Sequence, residues 1–150
     1  MKQFTFDNVG ANAQDGITLQ VYLLDIFGNI KDYREVHNTV TTAGKNMIAD
    51  RLLASPTLGV PTHMAVGTGT PTGTALGTEL DRNALTSKNR STNVVTMVGD
   101  WAAGDGTGTL TEAGIFDAGA SGNMHCSASF SAITKGASDT LQISWTLTIN

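Results

Sequence analysis

From Asn93 to its end, the chain alternates apolar and polar residues in four segments, NVVTMVGDWAA, TLTEAGIFDA, MHCSASFSAI and TLQISWTLTI. Glycine-bearing stretches, GDGTGT, GASGN and TKGASD, separate them. A two-residue period places successive side chains on opposite faces of a pleated strand and is incompatible with a helical stripe. In the last segment Leu141, Ile143, Trp145, Leu147 and Ile149 point one way, and Gln142, Ser144, Thr146 and Thr148 the other. One face is therefore core and the other wet. The even spacing predicts an antiparallel meander of four strands.

The first half follows the same rule with one interruption. Ile17, Leu19, Val21 and Leu23 alternate with Thr18, Gln20, Tyr22 and Leu24; Phe27-Gly28-Asn29 punctuates, and IKDYREVHN alternates again. Residues 17 to about 38 thus read as a β-hairpin whose polar second strand lies at a sheet edge. Thr41 or Thr42 is placed to cap a helix near 42–54, with Ala43, Met47, Ile48 and Leu52 on one stripe and Pro56 stopping it. THMAVGT reads as a short buried strand, and Glu79-Leu80-Asp81-Arg82 as a single helical turn. Seventeen glycines and twenty-two threonines favour strands and tight turns. Seven or so strands, one helix and no βαβ alternation predict a mainly β fold, an antiparallel β-sandwich or open barrel with one packed α-helix. Residues 1–150 form a single domain with its core in 17–150. Residues 1–16 are expected to form an N-terminal arm, in which Phe4 and Phe6 alternate as in a strand. The arm either pairs at an edge of its own sheet or reaches over a neighbouring subunit.

A domain of 150 residues buries roughly 68–70% of its unfolded surface, enough for a substantial core. Charged residues are only 15% of the chain, against 40% hydrophobic, which predicts that a partner covers part of the surface. The net charge of -4, with basic residues scattered, supplies no field for a nucleic-acid backbone or an anionic bilayer, so neither is an expected partner. Cys126 is the only cysteine, which excludes an internal disulfide. MKQFTFDNVG lacks the apolar run of a signal peptide, and no stretch is long and apolar enough for a membrane span. The expected site of synthesis is a reducing cytosol, which includes a virus particle assembled inside a bacterium.

Candidate chemistry is sparse. Gly67-Thr68-Gly69-Thr70-Pro71-Thr72-Gly73 invites a phosphate-loop reading, but the Gly-Lys-Ser/Thr ending is missing and Pro71 removes a donor, so a plain inter-strand loop is expected. His37, His63 and His125 lack zinc-type spacing. His125 and Cys126 are neighbours on a strand and point to opposite faces, His125 reading as a surface residue and Cys126 as a small buried hydrophobe. No serine sits in a nucleophile elbow, and Cys126 has no nearby cation to activate it. Asp100, Asp105, Glu112 and Asp117 flank the GDGTGT loop without calcium-loop spacing. No cofactor, metal or catalytic residue is predicted. Trp101, Phe116 and Trp145 are assigned to the core. Glu112 is placed to accept from N–H groups of the GDGTGT turn. Gly114 marks either a close approach, by an aromatic ring such as Trp145 or another backbone, or a bulge.

Three groups of residues carry a resemblance: Glu79, Leu80 and Arg82 after the GTGT loop; Glu112, Ala113, Gly114, Ile115, Phe116 and Asp117; and Lys135, Asp139 and Thr140 before the closing strand. In this order, after a helix of the NTVTTAGKNMIADRLL kind, the pattern over residues 37–149 resembles small virion structural proteins of tailed bacteriophages. That group spans capsid decoration or cement proteins and tail-fibre or tail-collar proteins of β-sandwich type. The resemblance implies a virion component without catalytic residues, made in the host cytoplasm and bound to the major capsid protein or other virion proteins. A capsid decoration protein stabilising the head is the first expectation, and a tail-fibre, tail-adaptor or baseplate component the alternative. A homo-oligomer is expected, a trimer being one arrangement that covers apolar surface. The residues expected to touch partners are Phe4, Phe6, Thr68, Thr70, Asp105 and Thr107. A β-sandwich carbohydrate-binding module is the reading from another class; it needs exposed aromatics, and most of the nine are required by the core.

Overall fold

Residues 19–149 are described by a computed structural model, and their alternating segments become ten strands and one helix. The order is β1 (Leu19–Leu24), β2 (Ile30–Val36), β3 (Thr39–Val40), α1 (Thr42–Asp50), β4 (His63–Gly67), β5 (Glu79–Ala84), β6 (Ser87–Ser91), β7 (Val94–Trp101), β8 (Gly108–Phe116), β9 (Met124–Lys135) and β10 (Thr140–Thr148). The proposed arm, with Phe4 and Phe6, and the first two residues of the predicted hairpin lie outside the described residues.

The strands form two antiparallel five-stranded sheets, β2-β1-β10-β7-β6 and β3-β9-β8-β4-β5. The fold is a β-sandwich with one short helix, and β2 is the edge strand its polarity predicted. The meander is corrected. β8 pairs with β9, but β7 pairs with β10, Val94 opposite Thr148 and Trp101 opposite Leu141. The connections 102–107 and 136–139 therefore cross between sheets. A single four-stranded meander would leave the alternating faces uncovered, whereas two strand pairs stacked face to face bury them against each other. Leu19, Val21, Leu23, Met97, Trp101, Leu141, Ile143 and Trp145 of one sheet meet Met64, Val66, Leu110, Ala113, Ile115 and Ile133 of the other in one cluster. Trp101 and Trp145 lie in that cluster; Phe116 is buried too, but in a second, smaller cluster with Ala65, Leu76 and Met124.

Residues 79–84 form strand β5 and not a helical turn. Cross-strand pairing with β4, from His63 opposite Ala84 to Gly67 opposite Glu79, overrides the local helical preference. Gly114 marks a close approach, as a β-carbon there would crowd Met124, Phe116 and Leu76; Trp145 is not among these neighbours.

Thr41 caps α1, its hydroxyl accepting from the Gly44 N–H at 3.1 Å. The helix stops at Asp50, short of the expected 54, because the Asp50 carboxylate accepts from the N–H groups of Thr57 and Leu58, both at 2.9 Å, and draws the chain back. The helix docks on β9 through Gly44, where a β-carbon would overlap the backbone carbonyl of His125. Replacing a helical glycine by alanine ordinarily stabilises by about 1 kcal/mol. Gly44→Ala should instead lose about 1–3 kcal/mol of unfolding free energy in urea titration, because overpacking against a rigid strand backbone outweighs helix propensity.

Candidate interaction surfaces

Strand registers sort the connections to two ends of the sandwich. Loops 25–29, 68–78, 102–107 and 136–139 lie at one end, and the turns at 92–93 and 117–123 at the other. The glycine-rich loop 67–78 offers backbone N–H groups to an anion, and the anion is supplied from within. Glu112, on β8 opposite Gly67, is fully buried. Its Oε1 accepts from Gly69 at 2.9 Å and Thr78 at 2.7 Å, and its Oε2 from Gly77 at 2.8 Å. Gly67 is glycine because a β-carbon there would strike this carboxylate and the Thr78 carbonyl. Thr111 reinforces the loop by donating to the Gly69 carbonyl at 2.7 Å. Three of the donors that could cradle a phosphate, those of Gly69, Gly77 and Thr78, are occupied. The expected partner of Glu112 is also corrected: it holds the 69–78 loop and not GDGTGT, because the 69–78 backbone folds back over β8.

The other acids are dispersed. Asp100 accepts from Gln142 at 2.8 Å, Asp105 is exposed, and Asp117 holds the N–H of Asn123 at 2.7 Å. Among the described residues no three His, Cys, Asp or Glu side chains are placed to share a metal ion. Cys126 is buried as expected, and burial pushes its thiol up to about 12. His125 is not the surface residue its alternation implied: α1 covers the outer face of β9, so β9 is buried on both sides there. Its Nε2 lies 3.8 Å from the Asp117 carboxylate, too far for a hydrogen bond, and its Nδ1 has no partner among the described residues. Burial lowers its pKa, partly offset by Asp117.

Buried charge elsewhere closes loops. Lys135 is fully buried and donates to the carbonyls of Ala102 at 3.0 Å and Asp139 at 2.7 Å. Asp139 receives Lys31 at 2.9 Å and the Gly136 N–H at 2.8 Å; Lys31 above all, then that N–H, holds its carboxyl below the usual range. Asp50 is lowered chiefly by the Leu58 N–H. Asp117 is lowered despite its burial, its bonds to Asn123 prevailing.

Thr68, Thr70, Asp105 and Thr107 are exposed, and the fold brings all four to the end that carries the β1–β2 turn. Sequence reasoning missed what else that end carries. Ile26, Phe27 and Ile30 project from that turn, Phe27 with 85% of its surface exposed. The signal was present: apolar residues flank Gly28-Asn29, where polar ones are usual. The opposite end has a groove of about 370 Å³. Its walls are Met47, Ile48 and Leu52 beside Val95, Leu147 and Ile149, and Arg51 and Lys88 stand at its rim. Leu52 is 82% exposed, and Leu53, Leu58 and Val60 continue the apolar surface. Trp101 and Trp145 are buried, the Tyr22 and Tyr33 rings are tilted at 45° to each other, and Phe27 is the large aromatic most exposed among the described residues. No family model matches this chain, and neither a curated protein nor a solved structure is significantly similar to it.

Glu112→Gln replaces one acceptor by an amide that faces N–H donors. It should cost on the order of 3 kcal/mol in chemical denaturation, whereas Asp105→Asn, exposed, should stay within about 0.5 kcal/mol. The pKa shifts separate two acid windows. His125 has a folded pKa below its unfolded one, so the unfolded chain binds the proton first and stability falls as pH drops below about 6.5. Asp50, Asp117 and Asp139 contribute stability above about pH 4 that is lost as pH falls through their lowered folded values. Denaturation midpoints at pH 7.5, 5 and 3 should show His125→Gln flattening the first interval and Asp139→Asn the second.

Proposed function

We propose that this chain is a non-enzymatic structural protein of a virus particle, made in the host cytoplasm and bound in many copies as a capsid decoration or cement protein. The observation that carries the reading is the exposure of large apolar side chains at both ends of the sandwich, Ile26, Phe27 and Ile30 at one and Leu52, Leu53, Leu58 and Val60 at the other. Apolar patches held out on a rigid frame are the usual mark of protein contacts. Two of them at opposite ends suit a module that ties neighbours together. The buried titratable groups support the non-enzymatic part. Glu112, Lys135 and Asp139 are each engaged with backbone groups or with Lys31, so these three buried charges serve the fold. The virion part draws on the resemblance of residues 37–149 to small phage structural proteins.

Quantitative mass spectrometry of purified particles, referenced to the major capsid protein, tests the reading. Hundreds of copies per particle are expected. A handful would move the chain to the tail as a fibre, adaptor or baseplate component, and absence from the particle would overturn both virion placements.

A further inference from the structure

The described residues carry an apolar knob at one end of the sandwich and an apolar groove at the other. The β1–β2 turn is a preformed knob. Asp25 Oδ1 accepts from the N–H groups of Phe27 and Asn29, both at 2.9 Å. The Gly28 N–H donates to the Asp25 carbonyl at 3.0 Å, and Gly28 adopts φ 81°, which suits glycine. Ile26, Phe27 and Ile30 are therefore held out to solvent by an ordered turn, and a carboxylate lies at its base. At the other end of the same sheet the groove offers Met47, Ile48, Leu52, Val95, Leu147 and Ile149, with cations at its rim. Arg51 pairs with Asp50 at 3.3 Å and donates to the Leu58 carbonyl, and Lys88 donates to the Pro61 carbonyl at 2.7 Å. The strand register fixes the separation: Leu24, at the knob, pairs with Thr140, while Leu147 and Ile149 lie at the far end of β10 and just beyond it.

We propose that the knob of one copy, Ile26, Phe27 and Ile30 beside Asp25, seats in the α1–β7–β10 groove of the next copy, with Asp25 facing Lys88 and Arg51. Knob and groove lie at opposite ends, so the contact is heterologous: it propagates head to tail and ends only where the rotation closes a ring. A two-fold pairing of like surfaces is a different arrangement, in which groove would meet groove and Lys88 would face Lys88. The inference rests on the reading of this chain as an assembly module and is independent of its place in a particle. Copy number and solution assembly are separate measurements and can fail separately.

The test uses the full chain in sedimentation and light scattering over a concentration series. The wild type is expected to grow beyond a dimer at high concentration. Phe27→Asp, which spoils only the knob, and Leu52→Asp, which spoils only the groove, should each weaken self-association by about 30-fold or more, as removal of an interface anchor does. Both positions are exposed, and circular dichroism and thermal melts should match the wild type. Mixing the two variants is decisive. Phe27→Asp keeps an intact groove and Leu52→Asp an intact knob, so together they should form a one-to-one dimer that grows no further. Lys88→Glu should weaken association several-fold and reduce its salt dependence. A wild type that stays monomeric throughout would overturn the inference, leaving the groove to another part of the chain or to a different protein. So would either single variant that still associates like the wild type, or a mixture that does not pair.

Discussion

A carboxylate with no exposure to solvent is tolerated only where hydrogen bonds replace its water, and Glu112 obtains three from one loop. That exchange organises one end of the sandwich. The loop from Thr68 to Thr78 leaves the N–H groups of Gly69, Gly77 and Thr78 for a side chain to satisfy, and β8 has on the face beneath that loop a buried acid that would otherwise be uncompensated. Each supplies what the other lacks, and Gly67 and Gly69 allow the backbone to come close enough. Lys135 repeats the arrangement with opposite sign, holding carbonyls of the two connections that cross between sheets. Crossing connections are where a β-sandwich most needs fixing, because no ladder extends through them. Here buried charge takes that place.

The period of the strands was legible because alternation is a local property. The inward row of β10 and the buried tryptophans follow directly from it, and so does the polarity of edge strand β2. Sheet membership is non-local. Nothing in the 93–150 segment distinguishes a meander from two pairs folded onto each other, since both satisfy the same alternation; only the total apolar area of both faces decides, and that is a property of the whole domain. β5 was misread for a related reason. ELDR has the composition of a helical turn, and its conformation is set by pairing with β4, distant in sequence.

His125 shows a further limit. Alternation assigned it to the face opposite Cys126, which is right, but treated that face as wet. A short helix packed on the outside of β9 makes the second face a second interior, and the contact depends on one residue without a side chain, Gly44. The helix was readable from Thr41 and its stripe; the strand it would cover was not. The length of the helix was overestimated because Pro56 marks the furthest point a helix can reach, while the actual stop is the Asp50 carboxylate returning to Thr57 and Leu58.

The polar and apolar economies of this surface are distributed unevenly, and that unevenness bears on function. Loops rich in Thr, Gly and Asp look like recognition elements in a sequence, yet much of their hydrogen-bonding capacity is directed inward: to Glu112, to Lys135, to the Asp25 carboxylate. A loop so satisfied is well suited to hold something else in place. What it holds is apolar: the turn bearing Phe27 is ordered by Asp25, and the surface bearing Leu52, Leu53 and Leu58 begins where Asp50 ends the helix and captures Leu58. In both places an aspartate organises backbone so that leucine, isoleucine or phenylalanine faces water. Apolar patches ordered in this way are the surfaces that the proposed assembly role would use.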